Sequence, residues 1–597
     1  MDHSVARRHH MFHDSRPFTR WWWFSGPIDT DGIDRELDWL VEQGFGGVEI
    51  AWVYPQPGTP RNAGPRFLDE QFIAAVRHAI EGCAKRGIGC DLTFGTLWPF
   101  CGSFIDDTHA ARTLMGLSEQ RVDRSWEARY HSYPVKVLDH LDKKALYWYS
   151  SELQDLLDLA KDSPAAMFCD SWEVDPVDLG YRGMFEDFIR RFGYDLTPFA
   201  SRIAAYPEVR FDYRVLIAER ILSDFFEPFS SICDSANVTS RVQCHGAPTD
   251  LLSAYSLCDI PESETLLFDP EFALIAASAA AWNDAPIVSS ESFSCIYGWV
   301  PTPLEPPYLG NEHIDDLRCV AASQFAWGVN RVVWHGMPLG GKRFYASVHV
   351  GPDGALAPHF KRFNEELACF GAAMSKGSTV SNLAIYLPLE DQWMKDEVPE
   401  ASKKPSYNWY WELQELEIDD QLMPYRPLWF SPRWIDELEF IAGKLLFRGK
   451  DIGSLYCDSE WMSYNSVCKL EELVKSGAPV IFNRWPKEPG YVQHDDYLNS
   501  LGVIQRAMFH TLDDVRPLVS SPVPIDFWCR MDGDTMICLF CHPQVRNLGY
   551  PLPYRFADSV EPTSLEVTVH ADGIQIPLLL EFTGGTYAVV REVKIYR

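Results

Sequence analysis

The chain has no stretch of about 18 apolar residues, so nothing in it reads as a membrane-spanning helix. Its first residues, MDHSVARRHHMFHDSRPF, carry charge but no apolar core, which is not the pattern of a secretory signal. Basic residues are scarce: 53 Lys and Arg stand against 84 Asp and Glu, a formal charge of −31. That balance excludes nucleic acid, whose phosphates need a basic stripe, and disfavours a highly acidic polymer as substrate. No block of five or more like charges occurs, so the acidity is spread over a solvated surface. The 15 cysteines are odd in number and lack framework spacing. Without an export signal they read as reduced thiols of a cytoplasmic protein. The motifs GxGxxG, GxxxxGK[ST] and HExxH are missing too, which removes the usual dinucleotide, P-loop and zincin readings.

Aromatics, by contrast, are plentiful at 14%, with 21 Trp. Flat apolar rings suit stacking on sugars, and they also suit large cores. Up to about residue 340, short apolar runs alternate with helical patterns, as parallel βα units do. There are eight runs: Arg20–Phe24, Gly47–Trp52, Gly89–Phe94, Ala166–Asp170, Ser240–His245, Tyr255–Asp259, Pro286–Glu291 and Arg331–His335. Between them lie helix patterns such as Asp31–Gln43, where Ile33, Leu37 and Leu40 share one face. Eight strands with intervening helices predict a closed (β/α)8 barrel over residues 1–375. About 70 residues separate the third run from the fourth and the fourth from the fifth. Such insertions belong over the barrel mouth.

After Lys376 the pattern restarts. Asn382–Leu387, Ile452–Tyr456 and Pro479–Phe482, with a helix pattern at Lys469–Ser476, predict a small open α/β (flavodoxin-like) domain over 376–520. Alternating runs at Thr535–Phe540, Leu565–Val569 and Tyr587–Val590 predict a β-rich region over 521–597. The CxxC of Cys538 and Cys541 lies inside a strand pattern, where positions i and i+3 face opposite sides, so it reads as structural.

Barrel enzymes carry their chemistry at the C-terminal ends of strands. Glu173, after the fourth run in CDSWE, and Glu291, closing the seventh in VSSES, form a carboxylate pair across that mouth. Glycosidic cleavage needs such a pair, one protonated for the leaving oxygen and one ionised for water or direct attack. The same rim holds Asp170, His245, Asp259, Glu262, Glu264 and His335, with Asp91 inside the third run. The oxygen-rich cluster around Asp259 and Glu264 would suit calcium; a solvated acidic loop is the plainer alternative. Trp21, Trp22, Trp23, Trp52, Trp98, Trp172 and Trp334 all fall near strand ends. Neighbours in WWW face opposite ways, so at least one packs in core.

These residues sit in blocks that resemble glycoside hydrolase family 106, the α-L-rhamnosidases. The opening RWWWFSGPIDTDGIDRELDWLVEQGFGGVEI carries a WWW-x-x-G motif before a helix and a glycine-rich entry to the second strand. The stretches GCDLTFGTLWPFCGS, CDSWE with FGYDLTPF, QCHGAP, DIPESE, SSESF and WHGMP follow in the family's order, across roughly residues 17–345. Family members are typically larger, exported and equipped with further β-domains. The resemblance implies an inverting, calcium-assisted exo-glycosidase acting on a terminal α-L-rhamnose-like sugar of a small glycoside or oligosaccharide. It implies Glu173 as general acid, Glu291 as general base and Glu264 as a third carboxylate touching substrate or metal. Asp170, Trp172, Trp98, His245, Trp334, His335 and Trp22 are candidates to line the sugar site. Acid and base remain interchangeable here, because the sequence does not show which site is drier. A barrel glycosidase for another sugar and an inactive carbohydrate-binding protein stay open as alternatives.

Overall fold

The computed structural model describes residues 13–595, except 54, 56–58, 60–62, 97–99, 103, 116–117, 122, 125–134, 162–163, 173, 175–178, 266–268, 295, 299–309, 342–347 and 396–416. Glu173 and Trp98 therefore lie outside the described residues. No helix among the described residues is long and apolar enough to cross a membrane.

Eight parallel strands close into a barrel in sequence order: β1 (Phe18–Phe24), β2 (Gly47–Val53), β3 (Gly89–Thr93), β4 (Ala166–Cys169), β5 (Thr239–Gln243), β6 (Ile260–Thr265), β7 (Ser289–Ser292) and β8 (Arg331–Pro338). Strand β8 pairs with β1 to complete the ring. The helix after β1, Thr30–Glu42, starts where Asp29 caps the backbone N–H of Asp31, and it buries Ile33, Leu37 and Leu40 against the barrel. Asp69 likewise caps the helix Glu70–Arg86 through the N–H of Phe72, and Gly87 ends it in the left-handed conformation.

One strand differs from the sequence reading. Tyr255–Asp259 is the end of a short helix, Leu251–Tyr255, and a turn; the sixth strand is Ile260–Thr265. The segment IPESET carries no apolar run because its inward positions are Glu262 and Glu264. Those two glutamates lie within the strand, not after it.

The reason is an unusual barrel interior. Such interiors are ordinarily filled with branched apolar side chains. Here Arg20, Glu49, Asp91, Arg241 and Glu262 fill it, each fully or nearly fully buried. Arg241 pairs through Nε with Glu262 at 3.0 Å, and its two terminal nitrogens reach Glu49 and Asp91. The Phe168 ring lies under both guanidiniums, 4.2 Å from that of Arg241 and 4.9 Å from that of Arg20.

Beyond the barrel, Leu383–Tyr386, Leu428–Phe430, Ser454–Cys457 and Val480–Phe482 form a parallel four-stranded sheet, flanked by the helices Tyr464–Lys475 and Tyr497–Ala507. An antiparallel sheet joins Phe527–Asp532, Thr535–Cys541 and Ala588–Lys594, and takes Ser378–Thr379 as its edge. Cys538 and Cys541 face opposite sides of it, in two separate cores. The Trp282 indole donates to the Trp429 carbonyl at 2.7 Å, which ties the parallel sheet to a barrel helix.

Removing one member of a buried ion pair leaves its partners uncompensated, at about 3–5 kcal/mol. Arg241→Met is therefore expected to lower the free energy of unfolding by about 3–5 kcal/mol, and the thermal midpoint with it. Calorimetry checks this, and an unchanged midpoint would show that the network adds nothing to stability.

Candidate active site

The strands alternate strictly at the mouth. Arg20 and Trp22 point into the barrel, whereas Trp21 donates its indole N–H to Glu36 on the first helix at 2.8 Å and Trp23 packs edge-on against Phe72 of the second. Trp52 also turns outward onto Phe72. Trp334 is placed away from the mouth. It packs on Phe293, Phe360 and Phe363 outside the barrel and donates to Asn364 at 3.1 Å. Its neighbour His335 takes the inward position, so Trp334 is core and not a sugar platform. Trp22 is buried as well. It donates to the His335 carbonyl at 2.9 Å and sets its ring edge-on to the imidazole, so it supports the site from beneath.

Asp170, His245, Glu264, Glu291 and His335 converge at the C-terminal ends of β4 to β8, as expected for a barrel mouth. Glu264 and Glu291 are register partners on adjacent strands. Glu291 is heavily engaged. Arg20 Nη2 lies 2.9 Å and the Gln243 amide 2.8 Å from one oxygen, and His335 Nε2 lies 3.1 Å from the other. Glu264 has His245 Nε2 at 2.8 Å. Arg20 also reaches Glu49 at 3.0 Å and Asp170 at 3.3 Å.

Two guanidiniums thus serve Glu49, Asp91, Asp170, Glu262 and Glu291, with Glu264 close by. There is too little positive charge for all of them, and the carboxyl groups separate in acidity. Burial alone would raise Glu291, but Arg20, His335 and Gln243 hold it at about 2. Burial pushes Asp170 up to about 6, with Glu291 and Glu49 adding to the rise and Arg20 opposing it. Glu264 is raised well above the ordinary range by burial, and by the Glu291 and Asp170 charges. An ionised Glu291 therefore faces two carboxyl groups of raised proton affinity, the separation of acidities that acid–base catalysis draws on.

Two His-Gly pairs shape the rim. Gly246 has φ +83°, and a Cβ there would come within 2.2 Å of the Trp172 carbonyl oxygen. Gly336 has φ +135°, and a Cβ would sit 2.5 Å from the Trp22 indole nitrogen. The close approach at Gly246 lets the Trp172 N–H bond the His245 carbonyl at 3.0 Å, which fixes the loop after β4 against β5.

Asp259 is not part of this site. Its carboxylate accepts from the backbone N–H and the hydroxyl of Ser240, both at 2.9 Å, at the start of β5. The cluster of Asp259 with Glu264 does not form, because five residues of strand carry Glu264 to the other end of the barrel. Among the described residues no group of three or more His, Cys, Asp or Glu side chains could hold a metal ion. Asp91 lies deeper, bonded to the Ala166 N–H at 2.8 Å. Sequence reasoning missed Arg20 and Gln243; the available signal was the two-residue spacing of Arg20 from Trp22, which places both inside.

Because Glu291 titrates below its usual range, it adds stability that is present above about pH 4.5 and is lost as the pH falls toward 2. Glu291→Gln lacks that contribution. Its denaturation midpoint should fall less steeply between pH 5 and about 2.5 than that of the wild type. Parallel slopes would contradict the charge assignment.

No family model matches the chain. A Formosa agariphila protein named "Putative beta-glucuronidase" is 23% identical over 391 residues, which is 59% of this chain and 30% of that protein. The chain thus spans under a third of the length of this relative. Among solved structures, the rhamnosidase from Novosphingobium sp. PP1Y superposes with a TM-score of 0.71 at 12% identity, covering 98% of this chain and 82% of that one. A β-galactosidase from Bacillus circulans sp. alkalophilus superposes at 0.57 with 9% identity, covering 97% and 99%. The chain has a glycoside-hydrolase-like fold: a closed parallel barrel followed by further sheet-rich domains.

Proposed function

We propose that the protein is an exo-acting glycosidase that removes a terminal α-L-rhamnose-like sugar from a small glycoside or oligosaccharide with inversion. The observation that carries this reading is the Glu291 carboxylate, held ionised by Arg20, His335 and Gln243 at the end of β7 beside Asp170 and Glu264, whose proton affinities burial raises. An ionised Glu291 suits the general base. It takes a proton from the water that attacks the anomeric carbon, while Glu173 gives one to the departing oxygen. The role of Glu173 rests on the family resemblance. The similarity to the glucuronidase-named protein favours a second reading, a glycosidase for another sugar, so an aryl β-glucuronide belongs in the same substrate panel as the α-L-rhamnoside.

Glu291→Gln and Glu173→Gln should each lower turnover by about 10²–10⁴ on a substrate with a poor leaving group. Near-normal kcat in either variant would remove that residue from its role. Nitrophenyl substrates are unsuitable for Glu173, because a good leaving group needs no acid. Inverting enzymes hold their carboxyl groups about 6.5–9.5 Å apart to admit a water, against about 5–5.5 Å in retaining ones. An α-glycoside should therefore release the β-anomer first, read by proton NMR during the first turnovers. First release of the α-anomer would establish retention.

The calcium that the resemblance implies finds no donor set among the described residues. Glu291, Glu264 and Asp170 are each already paired with Arg or His. Chelation followed by calcium add-back checks it: lost and restored activity is the outcome implied by the family, and unchanged turnover removes the metal.

A further inference from the structure

The strands Phe527–Asp532 and Thr535–Cys541 form a hairpin that turns at Gly533 and Asp534. Cys529 and Cys538 are register partners across it, and their Sγ atoms lie 2.8 Å apart. A disulfide bond is about 2.03–2.05 Å long, so the two sulfurs are within about 1 Å of bonding distance.

The backbone explains why these two thiols meet. Facing residues of antiparallel strands alternate between pairs that exchange backbone hydrogen bonds and pairs that do not, and the second kind brings its Cα atoms to about 4.5 Å. At the open end of the hairpin the Cys541 N–H donates to the Asp526 carbonyl at 2.9 Å, which makes that pair a hydrogen-bonded one. Three steps along, Cys529 with Cys538 is then a non-hydrogen-bonded pair. The Cys529 carbonyl agrees, because it turns to the other side and accepts from the Val380 N–H at 3.1 Å. A Cα separation of about 4.5 Å falls within the 4.4–6.8 Å that a disulfide spans.

Both thiols are fully buried, in an apolar cluster with Phe527, Phe540, Val567 and Leu580. Cys541, the other half of the CxxC, faces the opposite core and does not compete for Cys538. Burial raises the Cys529 thiol well above its ordinary range, which keeps its reactive thiolate scarce once the sheet is closed. On the opposite face of the same strand, Trp528 packs against Gly328, just after the barrel helix Ile314–Ala326.

We propose that Cys529 and Cys538 are a disulfide site, oxidised while the sheet folds and then enclosed in its core, and that the bond clamps the hairpin carrying Trp528. A small disulfide such as oxidised glutathione is the oxidant. One cysteine thiolate attacks it and releases one glutathione thiol, and the second cysteine attacks the protein sulfur of the mixed disulfide and releases the other. Two protein thiols become one S–S bond, and the oxidant is reduced to two thiols that carry the two protons. The site is independent of the sugar on which the protein acts.

The test refolds the full-length protein in mixtures of reduced and oxidised glutathione, quenches it with acid, alkylates it in denaturant and digests it with trypsin without reduction. Cleavage after Arg530 puts Cys529 and Cys538 on separate peptides, so the bond is read by mass spectrometry as a linked pair, with Cys541 alkylated on the second peptide. The link should persist when the folded protein is treated with dithiothreitol and disappear when the same treatment is given in denaturant. Cys541→Ala should keep it and Cys529→Ala should remove it. The oxidised wild type should melt a few degrees above its reduced form, a difference absent in Cys529→Ala. Cys529 and Cys538 both alkylated at every glutathione ratio, or Cys538 linked to Cys541 or to any other cysteine, would overturn the site. Loss of the link from the folded protein in dithiothreitol would overturn its enclosure, and a link with an unchanged midpoint would overturn the clamp.

Discussion

Arg20 is the group on which the mouth of this barrel depends. One buried guanidinium touches Glu49 below it, Asp170 on β4 and Glu291 on β7, and its flat face lies against Trp22 and Phe168. Arginine is suited to this position because its planar fork addresses several carboxylates at fixed angles and keeps its charge when buried. Arg241 repeats the arrangement one layer deeper, with Glu49 shared between the two. Burying so many charges is unfavourable unless each is paired and hydrogen-bonded, so the closure of the barrel and the completion of the network depend on each other.

The same shortage of positive charge that constrains the interior tunes the mouth. The network has more carboxylates than guanidiniums, so the groups compete for the charge. Glu291 has the best partners and stays ionised. Burial raises both Asp170, which shares Arg20 with two others, and Glu264, which faces the Glu291 and Asp170 carboxyl groups. Opposed proton affinities within one pocket are thus a consequence of how the interior is packed. They need no special device at the rim.

Around this polar centre the aromatics divide into two populations. Trp21, Trp23, Trp52 and Trp334 face outward and bind the barrel to its helices. Trp22 and Trp172 face the site, the first under His335 and the second in the wall beside Asp170. Large rings on both sides of the strands fill the volume, while the His-Gly pairs at residues 245–246 and 335–336 let the loops approach the strand ends. The further domains are tied to the outside of the barrel through contacts such as Trp282 with Trp429, leaving the mouth to the insertions after β3 and β4.

The sequence by itself determined the architecture. Short apolar runs alternating with helical patterns specify parallel βα units, and seven of the eight strands lie where those runs fall. The remaining one, β6 (Ile260–Thr265), was hidden because its inward positions are Glu262 and Glu264, so it carries no apolar run. The sequence also placed Asp170, His245, Glu264, Glu291 and His335 at strand ends, since residue position along a barrel strand fixes its height above the barrel floor. What only the tertiary structure decided is which way and against what each side chain acts. Trp334 and His335 are neighbours in sequence but lie on opposite faces of the strand. Asp259 and Glu264 are five positions apart but lie at opposite ends of it. Arg20 meets Glu291 although the two are 271 positions apart in sequence, and Phe225 joins Phe100 and Trp172 in the wall beside Asp170 from the π turn Leu222–Phe226. Local patterning reports the periodicity of a segment. Charge state and pocket shape arise from contacts between segments, and only the closed barrel brings those segments together.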